Sequence, residues 1–361
     1  MTLTDGGQAA RDVAERVAVF LARAKRSLDL ALYDVRLTGD AEDVVLGALR
    51  DADERGVDVR LAFNVDHPNP IPVPPPPEAT PEDVENLPFP TKAIAGVPDL
   101  MHHKYAVRDL EAVLTGSVNW TDDSWSRQEN VLVVVDSPAL ATDYARDFEQ
   151  IWASGVEESG PRTKPVAVDD VPVQAWFAPH RGEALSHRIA ARIARARRRV
   201  RIASPVLTSA PILGTLAEVT FDGRLDVAGI VDATQLRDVF HQWKANGNAR
   251  WKVPLLDAVL ERAPFAGKES TPWGPATLHD FMHAKVTVAD DDVFVGSFNL
   301  SHSGEKNAEN VLELHDAALA NRLASYIDEI RERYPRFVRT SGPGEAPSAR
   351  SGRGSRPSSR R

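Results

Sequence analysis

Cysteine is absent from all 361 residues. That excludes disulfides, thiolate nucleophiles and Cys-ligated zinc. Also missing is any run of about 18 apolar residues, the length a membrane-spanning helix needs. The opening "MTLTDGGQAARDVAERVAVF" lacks the basic and continuously apolar regions of a signal peptide, so a soluble, cytoplasmic protein without a transmembrane segment is expected. A basic excess is missing too, because the formal net charge is -9. The last 21 residues hold five arginines against one glutamate, so the rest of the chain is more acidic than the whole. This is not the footprint of a protein that coats nucleic acid nonspecifically, although it is compatible with a local positive groove.

What the chain does have is an internal repeat. "ARAKRSLDLALYDV" (22–35) answers to "ARARRRVRIASPVL" (194–207), and "VDVRLAFNVD" (57–66) to "LDVAGIVDAT" (225–234). "MHHKYAVRDLEAVLTGSVN" (101–119) returns as "MHAKVTVADDDVFVGSFN" (282–299). "GSVNWTDDSWSRQENVL" (116–132) and "GSFNLSHSGEKNAENVL" (296–312) are equal in length. Each half reads as helix, strand, helix, strand, hairpin, a further strand and a closing amphipathic helix. That alternation argues for an α/β fold of two similar α/β/α domains. The expected boundaries are 1–158 and 159–340, with a disordered basic tail over 341–361. Residues 68–90 contain ten prolines, which preclude a regular element. They read as a semi-rigid surface loop, either a tolerated insertion or a lid.

Residues two apart on a strand share a face. His102 therefore points with Lys104, and His283 with Lys285. Each strand enters a polar turn and returns to Gly-Ser-x-Asn, where Ser117 pairs with Asn119 and Ser297 with Asn299. The set of imidazole, ammonium, hydroxyl and amide suits an oxyanion, and nothing there resembles a magnesium cage. Histidine is the member able to act as nucleophile or proton donor near neutrality. Two copies fit in-line displacement at phosphorus: one imidazole attacks while the other protonates the departing oxygen, and the phosphohistidine is then hydrolysed. Paired donors would hold the equatorial oxygens.

"HHKYAVRD" and "HAKVTVAD" both fit H-x-K-x4-D, each followed by G-S-x-N and a downstream glutamate. The chain thereby resembles the phospholipase D superfamily over roughly residues 10–335. That resemblance implies two domains packed as a pseudo-dimer around one site. It implies that His102 and His283 are the catalytic pair, with His102 the nucleophile and His283 the acid. It makes Lys104, Lys285, Asn119 and Asn299 phosphate ligands, with Ser117 and Ser297 nearby. Glu129 and Glu309 match the acid that orients a histidine, while Asp109 and Asp290 count among the catalytic residues, completing the motif in a supporting role. The second turn is one residue shorter, so Asp291 is an alternative to Asp290. No metal and no cofactor are expected.

Phosphodiester headgroup hydrolysis or transfer on phospholipid, with peripheral membrane contact, is the first functional expectation. The alternatives are an endonuclease of the same superfamily acting on DNA or RNA, and a non-catalytic phosphate-binding scaffold, against which the intact histidines of both copies argue. His103 faces away from the motif and reads as structural. "RIARARRRVR" (192–201) reads as an amphipathic helix with a solvated basic face, or as a nucleic-acid contact. Trp120 and Trp125 are either pocket-lining or core.

Overall fold

The computed structural model describes residues 1–66, 84, 86–245, 247, 249–271 and 279–339. Most of the proline-rich loop and the whole basic tail lie outside the described residues, and with them the lid, membrane and nucleic-acid readings attached to those segments.

Each half builds a sheet with the same internal order. In the first half the strands run Gln128–Asp136, Ala112–Gly116, Lys104–Arg108, Ser27–Leu32, Asp58–Val65, Thr91–Ala95. In the second they run Glu309–His315, Asp292–Gly296, Val286–Ala289, Arg199–Ala203, Asp226–Asp232, Phe265–Lys268. The last three strands of each series are parallel and the rest antiparallel. Strands such as Ser27–Leu32 are buried on both faces, which is why they read as continuous apolar runs. Thr2–Leu3 extends the first sheet, and Val171–Ala178 and Val166–Val168 extend the second.

The covering helices follow from apolar spacing and capping. Ala10–Ala22 buries Val13, Val17, Phe20 and Leu21 on one stripe. Ser137 and Asp316 cap the closing helices Pro138–Ser154 and Ala317–Glu332, accepting from Leu140 N–H and Leu319 N–H. These two helices lie inside a core shared by both halves, which joins Tyr105, Tyr144 and Phe148 to Phe177, Leu312 and Ile327. Edge-on contacts run from Tyr105 to Tyr144 within the first half and from Tyr144 to Phe177 across the halves, with centroids 5.0 and 4.9 Å apart. Each such pair adds about 1 kcal/mol beyond its burial. Two further clusters sit under the outer helices, one per half.

The expected helix over 192–201 is corrected. The helix Gly182–Arg195 ends inside that run, and Arg199 opens a strand. Three of its arginines pair with acids of the same chain, Arg192 with Glu313, Arg198 with Asp291, and Arg201 with Asp226 and Asp328, and Arg188 just before the run also pairs with Glu313.

Candidate active site

The two motif strands cross between the halves. Met101 forms a parallel bridge to Ala308, and His102 N–H donates to Ala308 C=O at 2.9 Å. In the other direction, Phe281–Met282 adds in parallel to Gln128–Glu129, and His283 N–H donates to Glu129 C=O at 3.2 Å. Each half thus threads its H-x-K into the other's sheet.

The crossing buries His102, Lys104, His283 and Lys285, none more than 6% exposed. His102 Nδ1 lies 2.8 and 2.9 Å from the Glu309 carboxylate oxygens. His283 Nδ1 lies 3.1 Å from Asn130 Oδ1. With Nδ1 occupied in both rings, Nε2 is the nitrogen left for chemistry. Lys104 Nζ donates to His102 C=O at 2.7 Å, and Lys285 Nζ to His283 C=O at 2.6 Å. Tyr33 packs edge-on to His102 at 4.7 Å, and the Lys104 ammonium stands 4.6 Å over its ring. Phe281 backs His283 at 5.2 Å.

Burial lowers both histidines, and the two ammonium groups add to it. Both rings are therefore held neutral, the nucleophilic form. Burial also pulls Lys104 down to about 7 and lowers Lys285, which the Lys104 charge depresses further. Burial pushes Glu309 up to about 8, against the pull of Lys104. The cluster gathers two imidazoles and two lysine amines around one acid, Glu309, and a phosphodiester would bring the further negative charge that these groups call for.

The Gly-Ser-x-Asn turns close around it. A Cβ on Gly116 would lie 2.0 Å from Val131 O, and on Gly296 2.1 Å from Asn310 O, so only glycine fits either place. Ser117 Oγ donates to Asn130 Oδ1 at 2.7 Å and receives Val131 N–H; Ser297 Oγ receives Asn310 N–H. Among the described residues, Asn119 Oδ1 and Asn299 Oδ1 are buried without a hydrogen-bond partner, again in matched positions. Trp125 Nε1 holds the Asn119 carbonyl at 2.6 Å and packs on Trp120 in the first-half core, so both tryptophans are backing rather than pocket wall. His103 bonds Asp147, at 3.0 Å, on the opposite face.

Two expectations are corrected by the geometry. Asp109 and Asp290 are not at the reacting centre: they sit at the far end of the motif strands. Asp109 accepts the N–H groups of Lys25, Arg26 and Ser27, and Asp290 those of Arg197, Arg198 and Arg199. Both adopt left-handed backbone, with φ of 56° and 55°. Asp290 is therefore the counterpart of Asp109, and Asp291 pairs with Arg198. Glu129 is the second correction. Its carboxylate is taken by Lys268 Nζ at 2.9 Å, by the Tyr334 hydroxyl and by Asp5 N–H at 3.4 Å, while His283 meets Asn130. Sequence reading missed Asn130, because its repeat counterpart Asn310 sits beside the glutamate that orients a histidine, and it missed Lys268, which stands at no repeated motif position. Among the described residues, no three His, Asp or Glu side chains gather as a metal-binding set, and no helix is long and apolar enough to cross a membrane.

A family model described as "Cardiolipin synthase, PLD-like domain" matches residues 17–152 and again 189–331. The chain is a member of the phospholipase D superfamily. Among individual relatives, the mitochondrial cardiolipin hydrolase of Xenopus tropicalis is 29% identical over 141 residues, covering 38% of this chain and 60% of that protein. The human mitochondrial cardiolipin hydrolase is 39% identical over 56 residues, 15% of this chain and 22% of its own length. The chain thus matches less than two thirds of either relative. Among solved structures, the phosphatidylserine synthase of Haemophilus influenzae Rd KW20 superposes with a TM-score of 0.66 at 13% identity, over 94% of this chain and 87% of that one. The polyphosphate kinase of Porphyromonas gingivalis reaches 0.58 at 12% identity, over 90% and 45%. At such identities the likeness shows the fold alone, two similar halves packed as a pseudo-dimer.

Proposed function

We propose that the protein is a metal-independent phosphodiesterase that cleaves a phospholipid headgroup ester through a covalent phosphohistidine. The observation that carries this reading is the cross-threading: each catalytic imidazole is fixed at Nδ1 by a side chain of the opposite half, so one site needs both H-x-K copies. Lys104, Lys285, Asn119 and Asn299 surround the place where a phosphoryl group would sit, and they supply charged and neutral donors for its oxygens as charge develops. One histidine displaces the leaving oxygen from phosphorus; the other protonates it and then accepts a proton from the water that releases the phosphate.

Phospholipid is favoured over nucleic acid by two features. Arg188, Arg192, Arg198 and Arg201 are matched to acids of the same chain, which breaks up the basic run over residues 188–201, whereas nucleic-acid binding draws its affinity from continuous basic tracks. The cardiolipin hydrolases and the phosphatidylserine synthase named above carry a phospholipid in their names. The test presents cardiolipin or phosphatidylglycerol vesicles, and separately single- and double-stranded DNA, to the protein in excess EDTA. Release of phosphatidic acid without DNA cleavage is expected; DNA cleavage with inert vesicles would make it a nuclease of the same superfamily.

A further inference from the structure

The two halves match residue for residue between Gly-Ser-x-Asn and Glu-Asn, with the same spacing, yet their strands are not paired alike. In the first half Gly116 lies opposite Leu132; in the second, Gly296 lies opposite Val311, whose repeat counterpart is Val131. The Glu-Asn strand has slipped by one residue against its hairpin. A one-residue slip exchanges every side chain between the faces of a strand. Asn130 therefore stands where Glu309 stands in the other half, and Glu129 is turned out to Lys268. The crossing strands keep the same offset: Met101 faces Ala308, while Met282 faces Glu129.

The Asn130 amide has a fixed orientation. Its Nδ2 donates to Ser124 C=O at 3.2 Å, which can only accept, so Oδ1 must face Ser117 and His283. An amide oxygen only accepts as well. His283 is thereby held as the Nδ1–H tautomer by a neutral partner, whereas His102 is held by a carboxylate.

We propose that Asn130, brought in by this register slip, is the positioning residue of His283, and that the inequality of the two partners divides the labour of the histidines. The proposal rests on the two-histidine reading above. In the complex the anionic substrate offsets the two ammonium groups, so His283 takes up a proton at Nε2. In the first step the His102 Nε2 lone pair forms the P–N bond, the P–O bond to the leaving group breaks, and that His283 Nε2 proton moves to the departing oxygen. The ring of the phosphorylated His102 is cationic, and the Glu309 carboxylate offsets that charge at its Nδ1–H. His283 has no carboxylate to stabilise its protonated form, which makes it the stronger acid. In the second step water attacks phosphorus, its proton goes to His283 Nε2, and the P–N electron pair returns to His102.

The experiment uses the full chain and bis(p-nitrophenyl) phosphate. His283→Ala should release one p-nitrophenolate per enzyme in a burst, with later turnover slowed roughly 10³-fold, and an alkaline quench should place the adduct on the peptide containing His102. His102→Ala should show no burst. In the pH profile of kcat/KM, Asn130→Asp should move the alkaline limb up by about one unit or more, and Glu129→Gln should leave it in place. A burst from His102→Ala with the adduct on His283 would overturn the division of labour while keeping the phosphohistidine. A limb that moves in Glu129→Gln but not in Asn130→Asp would overturn the role of Asn130. The burst needs no change at Asn130, so it stands even where that variant fails to fold. Wild-type protein giving neither turnover nor adduct would bring down the functional reading itself, and this inference with it.

Discussion

Asp109 and Asp290 hold the same structural post in the two halves, each receiving three consecutive backbone N–H groups where a helix hands over to the strand beside the motif. The third motif residue is thus a clasp between the motif hairpin and its neighbour strand, and it reaches the chemistry only by fixing where that strand lies.

Removing this clasp should cost stability before activity. Asp109→Ala or Asp290→Ala should each lower unfolding free energy by about 1–2 kcal/mol, the loss typical of a carboxylate cap, measured by urea titration. Burial pushes both carboxyls up, but the backbone donors outweigh it and hold them below the usual range. Their contribution is therefore present above the ordinary aspartate value near pH 4 and is lost as pH falls through the lower folded value. The gap between wild type and variant should close in acid.

Glu129 and Lys268 form a buried ion pair, with the two side chains 0% and 1% exposed. Breaking one partner strands a buried charge, which costs about 3–5 kcal/mol. Glu129→Gln should fall at the low end, because Asp5 stays 3.1 Å from Lys268. Glu129→Gln with Lys268→Met should recover most of the loss; a double variant as weak as the single would contradict the pairing.

An anion in the site should change the pH dependence of stability. The histidines are lowered by burial and by the neighbouring ammonium groups. Without ligand, the unfolded chain takes up protons first as pH drops below about 6.5, so these groups make the empty protein lose stability there. Bound phosphate reverses the electrostatics, so its affinity should rise roughly tenfold per pH unit for each proton taken up between pH 8 and 6. Thermal shifts with inorganic phosphate at the two pH values measure this. Lys104→Met should reduce the shift.

Much of this was legible in the residues. The doubled H-x-K and Gly-Ser-x-Asn, the α/β alternation and the backing role of His103 all follow from period and repetition, because strand period fixes which side chains travel together. Other features are decided by pairing between distant strands. Nothing in "QENVL" and "AENVL" says that one strand is offset by a residue, yet that offset chooses asparagine over glutamate beside His283. Asp290 looked ambiguous because its hairpin loop is shorter; the backbone amides of Arg197–Arg199 single it out only once the chain is folded. The arginine run reads as one helix because Asp291 and Asp328, which pair with Arg198 and Arg201, lie more than 90 residues away.

The most direct measurement is steady-state turnover of bis(p-nitrophenyl) phosphate in excess EDTA by wild type, His102→Ala and His283→Ala, with folding of each checked by thermal unfolding. Activity that survives EDTA in wild type and is lost in both variants is the predicted result, since one site draws on both halves. Turnover retained by either folded variant, or activity abolished by EDTA and restored by a divalent metal, would contradict it.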